Sequence, residues 1–297
     1  MNSRNRSVVL ARQRGFTLVE VIVAMVITSI IIGFVSMFMI APVDAYMDQS
    51  ERALLNDSSQ SISRWMAEDL RAALPNSVRY SNNGTRAIVE ILNVSAVSFY
   101  RTPGTLIPAN PNRELDFLPT DTQFSLFGRV SPNATDYLVI GNLGMGNPGR
   151  DAYQLNGVIT PVNALGIVRN VVTQEDAVTI TSAFRFTAPD TRNRAFIVTG
   201  PVTYICNSAA NARTLRRYDG YQITSGIPAS EASPQLNVAG VRSTTLANNV
   251  ASCRLSCKGG GSAVCQDALV VEITVERPTT SGPEVLRMFE QFPVDNQ

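Results

Sequence analysis

The spacing of hydrophobic positions changes twice along this chain, and each change marks a different element. Residues 16–41, "FTLVEVIVAMVITSIIIGFVSMFMIA", are apolar almost without interruption. As a helix this run would measure roughly 39 Å at about 1.5 Å per residue, enough to cross a bilayer. One carboxylate, Glu20, stands inside it. Pro42 is expected to interrupt or kink the helix there, because proline brings no N–H and crowds the preceding turn. Beyond it, Met47, Leu54, Ser58, Ile62, Trp65, Met66, Leu70 and Ala73 recur at three- and four-residue steps. Arg52, Asp57, Arg64, Glu68 and Arg71 mark the opposite face. This pattern predicts a second helical half with its apolar stripe against a core, ending at Pro75.

After Pro75 the period shortens. "AIVEIL", "VSFYR", "ELDFL", "DYLVIG", "IVRNVV", "AVTITSAF", "FIVTGPVTYIC", "DALVVEITVE" and "EVLRMFEQF" are short, β-branched or alternating runs that predict strands. "TLRRYDGYQIT" reads as a hairpin turning at Asp219-Gly220. Loops fall between, with candidate breaks at Pro108–Arg113 and Ser225–Pro234. The predicted class is therefore α+β, a long N-terminal helix packed on one or two antiparallel sheets.

Charge orients the apolar run. Arg4, Arg6, Arg12 and Arg14 precede it, whereas Asp44, Asp48 and Glu51 follow. The positive-inside rule then places the N-terminus in the cytoplasm and residues beyond about 42 outside it. The run exceeds the core of a secretory signal, and no Ala-x-Ala site follows closely, which predicts a retained span. The four cysteines, Cys206, Cys253, Cys257 and Cys265, all lie in the exported part, where oxidation is expected. Three connectivities are open. The expected one joins Cys257 to Cys265 across "CKGGGSAVC" and Cys206 to Cys253. A zinc site is disfavoured because paired C-x-x-C knuckles and histidine are both missing.

The absence of histidine also excludes Ser-His-Asp and Cys-His catalysis, and no nucleophile motif replaces them. No catalytic residue, cofactor or metal is assigned, so an enzyme is not expected. Gly144-x-Gly146-x-x-Gly149 has dinucleotide-binding spacing, but Pro148 argues against the helix such a fingerprint opens, and a surface loop is expected. Asp136 and Asp151 beside it are weak calcium candidates. Arg213, Arg216 and Arg217 are expected to form a solvated hairpin edge.

The basic leader, Gly15, Phe16 and the "TLVE" that opens the apolar run together resemble the type IV pilin class, which includes type II secretion pseudopilins. The resemblance implies cleavage by prepilin peptidase between Gly15 and Phe16 and methylation of the new Phe16 amine. Glu20 is then expected either to rest near the interface, favoured by the positive helix N-terminus, or to pair with a Phe16 amine of its own or a neighbouring subunit during assembly. A carboxylate within a span is costly unless matched, and such acids are usually functional. The segments implied are a leader at 1–15, a transmembrane half-helix at 16–41, an exported half-helix at 42–75 and a β-rich exported domain at 76–297.

"ALPNSVRY", "LDFLPTDTQFSLFGRV", "VTYIC…LRRYDGY" and "FEQFPVDNQ" are similar to minor pilins of mannose-sensitive haemagglutinin pili. This implies a low-copy structural subunit of the inner membrane and then of a surface fibre, priming or capping assembly near the tip. Its partners would be prepilin peptidase, other minor and major pilins, the inner-membrane assembly platform and membrane lipid. A secretion pseudopilin, a tip adhesin and a DNA-capturing pilin are the alternatives. Removing Arg4, Arg6, Arg12 and Arg14 changes the balance from 25 basic against 24 acidic residues to 21 against 24. That disfavours broad binding to nucleic acid.

Overall fold

A computed structural model describes residues 15–106, 113–118, 121–181, 184–259, 265, 267–279 and 282–294. Arg4, Arg6, Arg12 and Arg14, and positions 108–112 of the candidate break, lie outside these residues. The fold is a long N-terminal helix with antiparallel sheets, an α+β arrangement consistent with a pilin-like fold.

Helix α1 covers Leu18–Arg71 and runs through Pro42 without the expected interruption. The missing proline N–H costs one hydrogen bond, but the long helix continues on both sides. The chain divides into two compact units within α1, the first reaching Arg52 and the second beginning at Ala53. In the first unit the apolar side chains from Phe16 to Met39 stand exposed, from 41% for Val21 to 81% for Phe16. The buried register of the second unit is Leu55, Ile62, Met66 and Leu70, while Leu54 is 45% exposed. At about 100° per residue, Leu55 points within about 20° of Ile62, whereas Leu54 lies about 80° away. The helix ends four residues before Pro75 because the following segment joins a sheet: Leu74 donates to Leu92 O, and Val94 donates to Ala72 O, each at 2.8 Å.

Among the described residues the second unit carries twelve strands in chain order. They are β1 (Arg79–Asn83), β2 (Arg86–Phe99), β3 (Gln123–Phe127), β4 (Tyr137–Val139), β5 (Leu165–Asn170) and β6 (Glu175–Ile180). The remainder are β7 (Arg194–Asn207), β8 (Thr214–Asp219), β9 (Arg242–Asn248), β10 (Val250–Lys258), β11 (Ala268–Thr279) and β12 (Gly282–Pro293). They form three sheets rather than one or two: β1-β2-β7-β8-β9 with β4 also on β7, β10-β11-β12, and β3-β6-β5. "ELDFL" forms no strand. Its acids instead bind loop amides: Glu114 accepts from Leu106 N at 2.9 Å and Asp116 from Leu118 N at 2.8 Å.

The long pair β2 and β7 matches from Arg86↔Asn207 to Phe99↔Arg194, with irregularities between Asn93 and Ala96. One face of it, through Val89, Ile91, Val202 and Tyr204, packs with Ile62 and Met66 of α1 and with Leu255, Leu269, Val271 and Ile273 of the second sheet. Its other face buries Ile88 and Ile205 against Tyr221 and Leu236. The Ser225–Pro234 region is therefore part of a segment folded back on the sheet rather than a domain break. The third sheet closes a separate cluster around Phe124, Leu126, Val178, Ile180 and Phe186.

The expected Asp219-Gly220 hairpin does not form. β8 lies between β7 and β9, pairing Asp219 with Val202 on one side and Arg242 on the other. A Cβ at Gly220, whose φ is +82°, would stand 2.7 Å from Gly240 O. Close approach of the segment leading into β9, not a two-residue turn, accounts for this glycine.

Candidate processing and assembly segment

Thr17 is the residue immediately before α1, and its side chain and that of Glu20 satisfy each other's backbone. The Thr17 amide donates to Glu20 Oε2 at 3.4 Å, and the Glu20 amide donates to Thr17 Oγ1 at 3.3 Å. This reciprocal pair is a capping box, Thr-x-x-Glu, and it supplies partners for two amides that a helix N-terminus would otherwise leave open. Val21 N donates to Thr17 O at 3.2 Å, closing the first helical turn. The carboxylate thus stands one turn into the helix, where the positive end of the helix dipole favours it. Favour from the positive helix N-terminus is expected from the sequence, but the box with Thr17 is not; its signal is the three-residue spacing from Thr17, the usual signature of a helix start.

Gly15 is exposed, and a Cβ built on it meets nothing within 4 Å. Packing among the described residues does not require a glycine there. Phe16 is 81% exposed and has no core to enter. Further along the span, the polar side chains are turned onto the helix itself: Thr28 Oγ1 donates to Met25 O at 3.2 Å, and Ser29 Oγ donates to Met25 O at 2.7 Å. Such back-bonding lets hydroxyls reside in hydrocarbon without an unpaired donor. Within α1, residues of the apolar window are not buried at all, and the helix is long and apolar enough to cross a membrane.

Residues 10–36 match the family model for the prokaryotic N-terminal methylation motif. The chain carries a prepilin-type signal. No curated protein and no solved structure matches it. The signal, ahead of a long apolar helix, supports a type IV pilin-like or pseudopilin protein and fits a membrane-anchored pilin. It implies processing by prepilin peptidase and points to a structural subunit rather than an enzyme. The matched residues are a small part of the chain, so the β-rich unit is read from its own structure.

The other groups singled out from the sequence have structural roles. Cys206 is bonded to Cys253, tying β7 to β10, and Cys257 to Cys265. Gly144 has φ +76°, and a Cβ on it would lie 2.3 Å from Asn76 O. The Asn76 amide donates to Asn142 O at 3.1 Å, and that of Asn142 to Pro75 O at 2.8 Å. The glycine loop is thus shaped by packing on Pro75–Asn76. Asp136 accepts from Asn133 N at 2.8 Å, and Asp151 from Tyr153 N at 3.0 Å. Among the described residues no three His, Cys, Asp or Glu side chains gather as a metal site.

The arginine group is not a solvated edge, because β8 is an inner strand. Arg217 grips Asp69 of α1 through Nε at 2.7 Å and Nη2 at 3.1 Å, bonds Asp219, and stacks 5.3 Å from the Trp65 ring centre. Tyr204 donates its hydroxyl to the same Asp69 carboxylate. Arg213 reaches Glu276 at 2.9 Å. Elsewhere, Glu90 is wholly buried against Arg79 and accepts a 2.7 Å bond from Tyr221 Oη. Burial raises its carboxyl above the usual glutamate range, with Arg79 and Tyr221 opposing the shift.

Proposed function

We propose that the protein is a low-copy minor pilin, made as a precursor and assembled into a type IV fibre. Prepilin peptidase would cut between Gly15 and Phe16 and methylate the Phe16 amine. Residues 16–41 would then hold the subunit in the inner membrane, with residues 42–75 continuing the helix outside and 76–297 forming the exported β-rich domain. During extraction into the fibre, Glu20 would meet a Phe16 amine, and the exported domain would contact other minor and major pilins above the assembly platform. The observation that carries this reading is the Thr17–Glu20 box, set directly behind Gly15-Phe16 at the head of a helix whose first, apolar part is exposed.

Within that class, the short stretches similar to the mannose-sensitive haemagglutinin biogenesis protein MshO favour a subunit that primes or caps assembly near the tip. A type II secretion pseudopilin would carry the same N-terminal segment. DNA capture is the weaker reading, because Arg213 and Arg217 are matched by Glu276, Asp69 and Asp219.

Intact mass of the membrane-extracted protein, from cells with and without prepilin peptidase, tests the proposal. Peptidase-dependent loss of residues 1–15 with gain of one methyl group is the expected result. A full-length or differently cut chain in both strains would refute it. Loss of a surface pilus on deletion, with secretion intact, would separate the pilus from the secretion system.

A further inference from the structure

Among the described residues, the third sheet has one bare side. β6 lies between β3 and β5, so β5 is a free edge. β3 is partly covered on its outer side: Arg101 donates to Ser125 O at 3.3 Å and Ser125 donates to Arg113 O at 3.1 Å. Along β5, in contrast, the described residues offer no second backbone partner. Its length, about 20 Å for six residues, suits one added strand.

Exposed edges ordinarily carry deterrents such as charges, proline or strong polarity. β9, "RSTTLAN", is polar, and β12 bears Glu284, Arg287 and Glu290. β1 is closed by the Asn82 side chain, whose amide donates to Leu255 O at 2.7 Å and whose oxygen accepts from Leu255 N at 3.1 Å. The edge strand β5, "LGIVRN", has a single charge, Arg169, which is already bound to Asp176 at 3.0 Å. Its Val168 is 71% exposed, and Val171 and Val172 at the hairpin tip are 74% and 87% exposed. This apolar surface stands at an edge without the usual deterrents.

The core is also open on this side. Leu165 and Ile167 share a face with Val178 and Phe124 but are only half-buried. A cleft of about 370 Å³ lies between them and residues 129–134. Asp176 holds its walls together, accepting from Val130 N at 2.6 Å through one oxygen and from Arg169 through the other. Arg129 lines the cleft from an exposed position, with no ion-pair partner among the described residues.

We infer that β5 accepts an extended segment of a different exported chain, one that adds a strand to the third sheet, inserts an apolar side chain beside Ile167 and presents a carboxylate to Arg129. Main-chain bonds along an edge give affinity, and alternate side chains give specificity. Pairing of β5 with the same edge of a second copy fits poorly, since β5 and its tip, residues 165–173, contain no acid to meet Arg129. The inference rests on the reading of the protein as a fibre subunit and names the chemistry of its neighbour.

The test uses the full chain in cells that assemble the fibre, with a benzoylphenylalanine photo-crosslinker at Val171 and, as control, at Thr244 on β9. The expected product is an adduct at Val171 with a distinct exported protein, sequenced to a segment with alternating apolar residues and a carboxylate. Val168→Lys and Arg129→Glu should each lower its yield by roughly tenfold. Both positions are exposed, so thermal unfolding should stay unchanged and confirm that folding is not the cause. An adduct with a second copy, equal labelling from Thr244, or yields indifferent to both variants would overturn the inference. If processed, methylated chains give no adduct at Val171, this inference fails alone. Failure of processing itself would instead strike the proposed function.

Discussion

Replacing Glu20 by glutamine separates the two roles open to that side chain. In the structure Glu20 caps its own helix through Thr17, and glutamine can make the same box. Alanine cannot. Loss of a capping group costs about 1 kcal/mol, a fivefold effect on the first turn of a helix that is otherwise secured by its length. An ion pair with a Phe16 amine would be worth about 4 kcal/mol at a separation of about 4 Å and an effective dielectric near 20. Assembly through the ion pair therefore predicts that Glu20→Gln and Glu20→Ala fail alike, by well over a hundredfold, while Thr17→Ala loses only a few-fold. The assay is the fraction of this subunit in sheared fibres relative to membranes, with cleavage and methylation checked by mass. Near-normal incorporation of the glutamine variant, with failure of alanine, would refute the charge argument and leave the cap as the reason for the residue.

Three further outcomes follow from the exported unit. Removing the Cys206–Cys253 bond by double alanine substitution should cost about 4 kcal/mol, and removing Cys257–Cys265 about 2.5, from the loops of sequence separation 47 and 8; urea unfolding of each variant checks the order. Arg217→Ala should destabilise by about 3–5 kcal/mol, because it leaves Asp69 buried without its cation; if Asp69→Asn added to it restores no stability, the ion pair is not the source. Burial alone would raise the Glu175 carboxyl, but bonds and attraction from Arg101 and Arg113 outweigh it and hold it below the usual glutamate value. Its contribution is thus full above the unfolded value of 4.5 and is lost as pH falls through the lower folded value. Glu175→Gln should flatten the acid side of the stability profile below about pH 4.5; an unchanged slope would contradict this, and Glu90, raised by burial, acts in the opposite sense in both proteins.

The features that sequence alone determined are those written in contiguous residues. An apolar run of helical length is its own signal, since lipid or water is chosen by composition before any tertiary contact exists. The same is true of Gly15-Phe16 and of Thr17–Glu20, whose hydrogen bonds need only one helical turn. The strands at 87–92 and 196–206 were legible as short β-branched runs, buried on both faces, and that at 268–276 by its alternation. Tertiary structure decided what depends on residues distant in the chain. Asp219-Gly220 has the local chemistry of a hairpin turn, yet β8 pairs with β9 because the segment from Tyr221 to Val241 folds back on Ile88 and Ile205 before returning to the sheet edge. Leu55 rather than Leu54 faces the core because the sheet, not the helix, selects the buried direction. Arg217 meets Asp69 across 148 positions, an encounter no local spacing encodes. The open edge of β5 belongs to the same class: a strand is an edge only by what the rest of the chain leaves uncovered.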